Sequence, residues 1–218
     1  KILLIAQGSQ SIQLVRELFS LGYKPDDIDV ITIDDSKNLS FVDFLDYYEI
    51  HKKYAFTENF NRLLISQLKN KYSLVISFSN PFIISKEAIS KSIFLNFHPG
   101  WLPKYRGSLS TVNSLINKEK FVGGTWHYIV TEVDKGNIIY RFKIIIDSKD
   151  TAFSLNHKIF SKGIQSLSEI LERVENNYSG ISQNKKNGRF YLNKFPSLKS
   201  IINKKLIYKL TYFPPNFK

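Results

Sequence analysis

The chain is expected to be an α/β protein with a doubly wound, mostly parallel sheet, on three observations. Short, nearly continuous apolar runs stand at 1–6, 28–33, 74–77 and 92–97, the pattern of strands buried on both faces. Stretches with helical apolar spacing separate them. The 218 residues, 43% apolar and 23% charged, are enough for one domain with a substantial core, or one domain plus an appendage. Strands alternating with helices build a parallel sheet, and such sheets hold ligands beyond the carboxyl ends of their strands.

Lys1-Ile2-Leu3-Leu4-Ile5-Ala6 reads as the first strand and is too short for the core of a signal peptide. Gly8-Ser9-Gln10-Ser11 turns the chain into a helix over about 11–21, with Ile12, Val15, Leu18 and Phe19 along one face. The second strand, 28–33, ends at Asp34-Asp35, and a helical pattern spans about 58–70. The runs at 74–77 and 92–97 are the next two strands. After Gly107 a helix runs to about Asn117. Residues 122–130 and 136–146 read as two strands flanking a loop that carries Asp134. Residues 151–174 read as one long amphipathic helix. From Ser179 the composition shifts to Asn, Lys and Gly, with a short extended segment at Gly188-Arg189-Phe190-Tyr191 and a late Phe213-Pro214-Pro215. A main domain over 1–178 and a C-terminal extension over 179–218 are expected. The extension lacks an amphipathic stripe yet is rich in aromatic residues, which need cover from the main domain or from a second copy in a homodimer.

The formal charge is +12, from 31 Lys and Arg against 19 Asp and Glu. That balance favours anionic partners, or reflects a bias towards Lys that accompanies many Asn and Ile. No dense basic block of the nucleic-acid-tail kind is present. Without Cys there are no disulfides or thiolate metal sites. His51 and His157 lack ligand-spaced partners, so no metal is expected. No apolar run reaches membrane-spanning length. The reading is a cytoplasmic protein without membrane contact.

The most informative segment is Asn96-Phe97-His98-Pro99, followed by Gly100-Trp101-Leu102-Pro103-Lys104-Tyr105-Arg106-Gly107 and later by Asp134 in Glu132-Val133-Asp134-Lys135-Gly136. On a strand Asn96 and His98 share a face. An amide and an imidazole can stabilise a developing oxyanion, and a carboxylate can orient the imidazole and receive protons. Alone, His98 would read as a core imidazole and Asp134 as a turn residue. Gly8-Ser9-Gln10 either presents amides to a phosphate at a helix N-terminus or is a plain strand-to-helix turn. Trp101, Tyr105 and Tyr191 either stack on a nucleobase or pack.

Together these residues resemble the folate-dependent formyltransferase family. Its pattern is an Asn-x-His-Pro strand end, then Leu-Pro-x-x-x-Gly, then an Asp in a Gly-containing loop. His127, Val130 and Asp134 complete its His-x-x-Val-x-x-x-Asp element, and the likeness is strongest over about 70–150. The resemblance implies a Rossmann-like domain that transfers formyl from 10-formyltetrahydrofolate to an amine. It implies catalysis by Asn96, His98 and Asp134. The folate pocket it implies is lined by Phe78, Asn80, Pro81, Phe82, Ile83, Val130 and Glu132. Gly8, Ser9, Gln10, Trp101, Tyr105, Arg106 and Tyr191 would meet the amine substrate. Small sugar-nucleotide N-formyltransferases fit best, through Arg106-Gly107, Tyr191 and Pro214-Pro215, although Tyr208-Lys209 stand where that branch usually has Arg-Ala. The implied substrate is a nucleotide-linked amino sugar, such as a dTDP-4-amino-4,6-dideoxyhexose, destined for a surface polysaccharide. Glycinamide ribonucleotide or methionyl-tRNA as acceptor, and a non-catalytic folate- or nucleotide-binding module, are the alternatives.

Overall fold

The computed structural model describes residues 1–33, 38–184 and 188–192. Five parallel strands make up one side of a seven-stranded sheet: β1 (Ile2–Ala6), β2 (Ile28–Thr32), β3 (His51–Tyr54), β4 (Leu74–Phe78) and β5 (Phe94–His98). Two antiparallel strands, β7 (Phe121–Tyr128) and β8 (Ile138–Ile145), complete it in the order β3-β2-β1-β4-β5-β7-β8. Two three-residue strands, β6 (Tyr105–Gly107) and β9 (Arg189–Tyr191), pair in parallel as a separate ribbon. The chain leaves β1 first to one side and then to the other, so β1 and β4 flank the switch point where such folds open a crevice.

Every residue of β1, β2 and β4 is buried, which explains the unbroken apolar runs. Alternate residues feed two cores. Ile2, Leu4 and Ala6 face one side with Leu14, Val15 and Leu18 of α1 (Ser9–Ser20) and Leu155 and Ile159 of α6 (Ala152–Gln165). Leu3 and Ile5 face the other with Phe60 and Leu64 of α3 (Phe60–Gln67) and Ala88 of α4 (Lys86–Ile89). Of the row predicted on α1, Val15 and Leu18 are buried, Ile12 and Phe19 only partly, and Leu14 belongs to the inner face as well.

The single helix expected over 151–174 is two. Between α6 and α7 (Leu167–Glu175) the chain breaks at Ser166. The buried Trp126 indole donates to the Gly163 carbonyl at 2.9 Å, and the Ser166 hydroxyl donates to the same oxygen at 2.7 Å. A tertiary donor thus occupies a carbonyl that a continuous helix would have used internally. Elements outside the sequence reading include α2 (Leu39–Tyr47), the edge strand β3, the short strand β6 and α4, which Ser85 caps by accepting from the Ala88 amide. Between β6 and β7 runs α5 (Ser110–Ile116), and the strand expected from Gly136 begins at Ile138. The ribbon partner β9 and a bridge from Ile181 to Ile138 carry the start of the extension back onto the main domain. The late Phe213-Pro214-Pro215 and Tyr208-Lys209 lie outside the described residues. Among the described residues no helix is long and apolar enough to cross a membrane.

Candidate active site

Sheet register creates the site. Ser77 of β4 lies opposite Asn96 of β5, and Asn96 lies opposite His127 of β7, so three polar side chains form one row across adjacent strands. The row forms part of a cleft of about 420 Å³ at the carboxyl ends of β4 and β5. His98, one step along β5, and Asp134, on the loop between β7 and β8, also line it.

Hydrogen bonding fixes the orientation of each group. The Ser77 hydroxyl donates to Asn96 Oδ1 at 2.9 Å. His127 Nδ1 sits 2.8 Å from the Tyr128 carbonyl, which can only accept, so that nitrogen carries the proton. Nε2 of His127 then accepts from Asn96 Nδ2 at 3.1 Å. The second Asn96 Nδ2 hydrogen remains for a ligand. By the same argument His98 Nε2, 2.5 Å from the Tyr105 carbonyl, is the protonated nitrogen. His98 Nδ1 faces Asp134 Oδ2 at 3.5 Å, and His127 Nε2 faces Asp134 Oδ1 at 3.5 Å. One carboxylate therefore stands between two imidazoles.

The local chain is shaped for this. A Cβ on Gly100 would come within 2.4 Å of His98 Nε2, so only glycine leaves room for the ring. Asp134 itself is left-handed, with φ 53°. Its Oδ2 accepts from the Gly107 amide at 2.7 Å. Burial is the largest influence on His98 and holds it below the ordinary imidazole value of 6.5, despite the opposing pull of Asp134. Burial works to raise the Asp134 carboxyl, but His98 and His127, acting as imidazoliums in the acid range where a carboxyl titrates, and the Gly107 N–H outweigh it and hold it well below the ordinary carboxylate range. At neutral pH the site is an ionised Asp134 beside a neutral His98.

The cleft wall includes Asn80, Pro81, Phe82, Ile83 and Val130. Asn80 Oδ1 accepts from the Phe82 amide at 2.8 Å and folds that segment into a turn. Phe82 stacks on Phe60 with centroids 4.4 Å apart. Phe78 is not a wall residue; its ring lies in the core against Phe97 and Phe160. Glu132 is exposed and paired with Lys135 at 3.1 Å. None of the seven residues expected to meet substrate lines this cleft, and each has other neighbours. The Trp101 ring is covered by Arg141 at 4.2 Å and Lys143 at 5.0 Å. Tyr105 is buried, donates its hydroxyl to Glu119 and stacks on Tyr191 at 5.4 Å. Arg106 is buried and donates to Gln183. Gly8 gives its amide to Asn38 at 2.7 Å, and Ser9 opens α1. Gln10 lines a second cavity, about 410 Å³ between α1 and α6, which shares Phe160 with the cleft.

His127 and Ser77 are site members that the residue-by-residue reading did not single out. His127 stood in the motif with Asp134, and Ser77 was the one hydroxyl in an apolar strand. Among the described residues no group of three or more His, Cys, Asp or Glu is arranged to hold a metal.

The model of the family described as "Formyl transferase" matches residues 37–171, more than half of the chain. The chain belongs to the formyl transferase family. Within that family it is 32% identical over 95 residues to a GDP-perosamine N-formyltransferase of Brucella melitensis, covering 44% of this chain and 37% of that protein. It is 31% identical over 121 residues to a methionyl-tRNA formyltransferase of Borrelia garinii, covering 54% of this chain and 38% of that one. The chain thus spans less than half the length of these relatives. A solved N-formyltransferase from Helicobacter canadensis, in complex with folinic acid and dTDP-3-aminofucose, superposes with a TM-score of 0.72 at 24% identity, over 88% of this chain and 71% of that one. That likeness is one of fold.

For a formyl transferase the geometry has a definite capacity. Asn96 can donate to an oxygen gaining charge. The His98 Nε2 hydrogen is committed to Tyr105, so His98 donates into the cleft only once Nδ1 has gained a proton. Its acceptor nitrogen and the Asp134 carboxylate form a proton-receiving pair.

Proposed function

We propose that the chain transfers a formyl group from 10-formyltetrahydrofolate to the amine of a nucleotide-linked amino sugar, such as a dTDP-4-amino-4,6-dideoxyhexose, in the making of a surface polysaccharide. The observation that carries the reading is the convergence of Asn96, His98 and Asp134 in one cleft of a family member. A reduced folate fits what the cleft offers. Phe82, Ile83, Val130 and Val133 give an apolar wall for a flat ring, and Asn96 and Asp134 stand at its polar end. The folate supplies a formyl carbon held as an activated amide.

The chain's residues do the rest. Asn96 Nδ2 donates to the formyl oxygen as charge develops there, a contact worth about 3–4 kcal/mol when preorganised. The neutral His98 Nδ1 receives the proton released by the attacking amine, directly or through water. Asp134 stabilises the resulting imidazolium, which donates towards the same oxygen; as the tetrahedral intermediate collapses, the bond from the formyl carbon to the folate nitrogen breaks and the imidazolium returns its proton to that nitrogen, releasing tetrahydrofolate and neutral His98. No covalent enzyme intermediate is required.

The sugar acceptor is supported by the GDP-perosamine relative and by the ligand of the Helicobacter structure. The methionyl-tRNA relative and the +12 charge favour a second reading, formylation of an aminoacyl-tRNA. The deciding experiment incubates the protein with 10-formyltetrahydrofolate and a panel of nucleotide-linked amino sugars, glycinamide ribonucleotide and methionyl-tRNA. Mass spectrometry then reads the added formyl group. Formylation of an amino sugar is expected; efficient product on tRNA alone would reverse the choice.

A further inference from the structure

Gln183 stands in the described start of the extension and is buried. Its amide uses four hydrogen bonds. Nε2 donates to the Asp134 carbonyl at 2.8 Å and to the Gly136 carbonyl at 2.7 Å. Oε1 accepts from Arg106 Nε at 3.2 Å and from an Arg106 terminal nitrogen at 2.8 Å. An amide has two donor hydrogens and two acceptor lone pairs, so this side chain is saturated and has a single orientation. Arg106 fixes the acceptor end, which obliges the donor end to face the turn between β7 and β8.

The turn needs holding. Asp134 occupies left-handed backbone, which costs a non-glycine residue about 1 kcal/mol or more unless its surroundings impose it. Two contacts impose it from opposite ends. The Gly107 amide takes the carboxylate, and Gln183 takes the backbone carbonyl. Gly107 and Arg106 are neighbours on β6, so one strand anchors both restraints.

We propose that Gln183 is a positioning residue for the acid–base site: its amide clamps the Asp134 turn so that the carboxylate is presented to His98. The role rests on the proposed reading only in that this carboxylate is taken to serve catalysis. A purely structural staple predicts something different, a uniform loss of stability with no selective effect at Asp134.

The test uses the whole chain carrying Gln183→Glu or Gln183→Met. Glutamate keeps the size and the acceptor for Arg106 but loses both donors; methionine loses both donors without adding charge. The chain has four histidines, and His51 and His157 are exposed and do not line the cleft, so they serve as internal references. In ¹⁵N spectra of the imidazoles, the His98 and His127 ring signals are expected to move in both variants while those of His51 and His157 stay in place. Four unchanged histidines in a folded variant would overturn the proposal. In kinetics, Gln183→Glu is expected to lower kcat about 10- to 100-fold, the scale of a small misplacement of a reacting group, with Michaelis constants near wild type. In an Asp134→Asn background the same change should add no further loss. An equal loss in both backgrounds would also overturn it. Absence of formyl transfer by the wild-type protein would remove the proposed function, and the spectra would then decide the role of Gln183 by themselves.

Discussion

At His98 the location of one proton decides what the residue can do. Its Nε2 hydrogen belongs to the Tyr105 carbonyl, so the nitrogen free to take up a proton is Nδ1, beside Asp134. Replacing His98 by Ala should lower turnover about 100- to 1,000-fold while leaving folate affinity close to wild type, because its principal partner exists only in the transition state. Steady-state kinetics and a folate-binding titration separate these; equal losses in both would argue for a binding role alone. The protonation states also make a stability forecast. His98 has a folded-state value below 6.5, so the unfolded chain takes up this proton first, and stability falls as pH drops beneath that value. Asp134 is held below 3.8, so its contribution is fully present above that value and is lost as pH falls through its lower folded value. Denaturant unfolding from about pH 7.5 to about pH 4 should therefore show a downward slope that is shallower in His98→Gln. An identical slope in the variant would remove His98 as its source. The proposed activity should likewise fall in acid, as the acceptor amine and His98 gain protons.

Elements differ in how openly the sequence declares them, and the difference is physical. The strands β1, β2, β4 and β5 are legible because burial on both faces forces near-continuous apolar runs. The edge strand β3 reads His51-Lys52-Lys53-Tyr54, mostly exposed, and carries no apolar signal. The break at Ser166 is invisible for another reason: its cause is Trp126, distant in sequence, reaching the Gly163 carbonyl. Trp126→Phe keeps most of the apolar bulk and deletes that donor. It should lower unfolding free energy by about 1–2 kcal/mol with little effect on turnover, since the ring lies in the core and not on the cleft wall. Calorimetry beside an activity assay checks this; a large kcat loss would mean the helix break governs the site. For the site, Asn96, His98 and Asp134 could be read as a set because their order and spacing match a family motif, although each alone has a plain structural reading. The support behind them could not. The Tyr105 carbonyl and Gly107 amide are backbone groups, which side-chain identity does not announce, and Gln183 is remote in sequence.

For the whole molecule the extension expected from 179 onward is not an independent body where it is described. Ile181 bridges Ile138, Gln183 clamps the Asp134 turn, and Tyr191 pairs with Gly107 and stacks on Tyr105. Support of the Asp134 turn is thereby added to the substrate contact that the resemblance implies for Tyr191. Deleting everything from Ser179 onward should reduce kcat as well as sensitivity to the sugar, and should expose the Tyr105 ring to solvent. Fluorescence and kinetics of the shortened chain read both; unchanged turnover would restrict the extension to recognition.

The parallel pairing of β6 with β9 has a consequence for how the protein is made. A ribosome extrudes the chain from its N-terminus, and the residues of the polar row, Ser77, Asn96 and His127, emerge long before Arg189–Tyr191. Until that late segment arrives, Gly107 lacks its β9 neighbour, and the turn that presents Asp134 lacks the clamp supplied by Gln183. The nascent polypeptide can thus complete its central sheet before the turn that presents Asp134 is held, and that restraint arrives only once Gln183 and β9 have been synthesised.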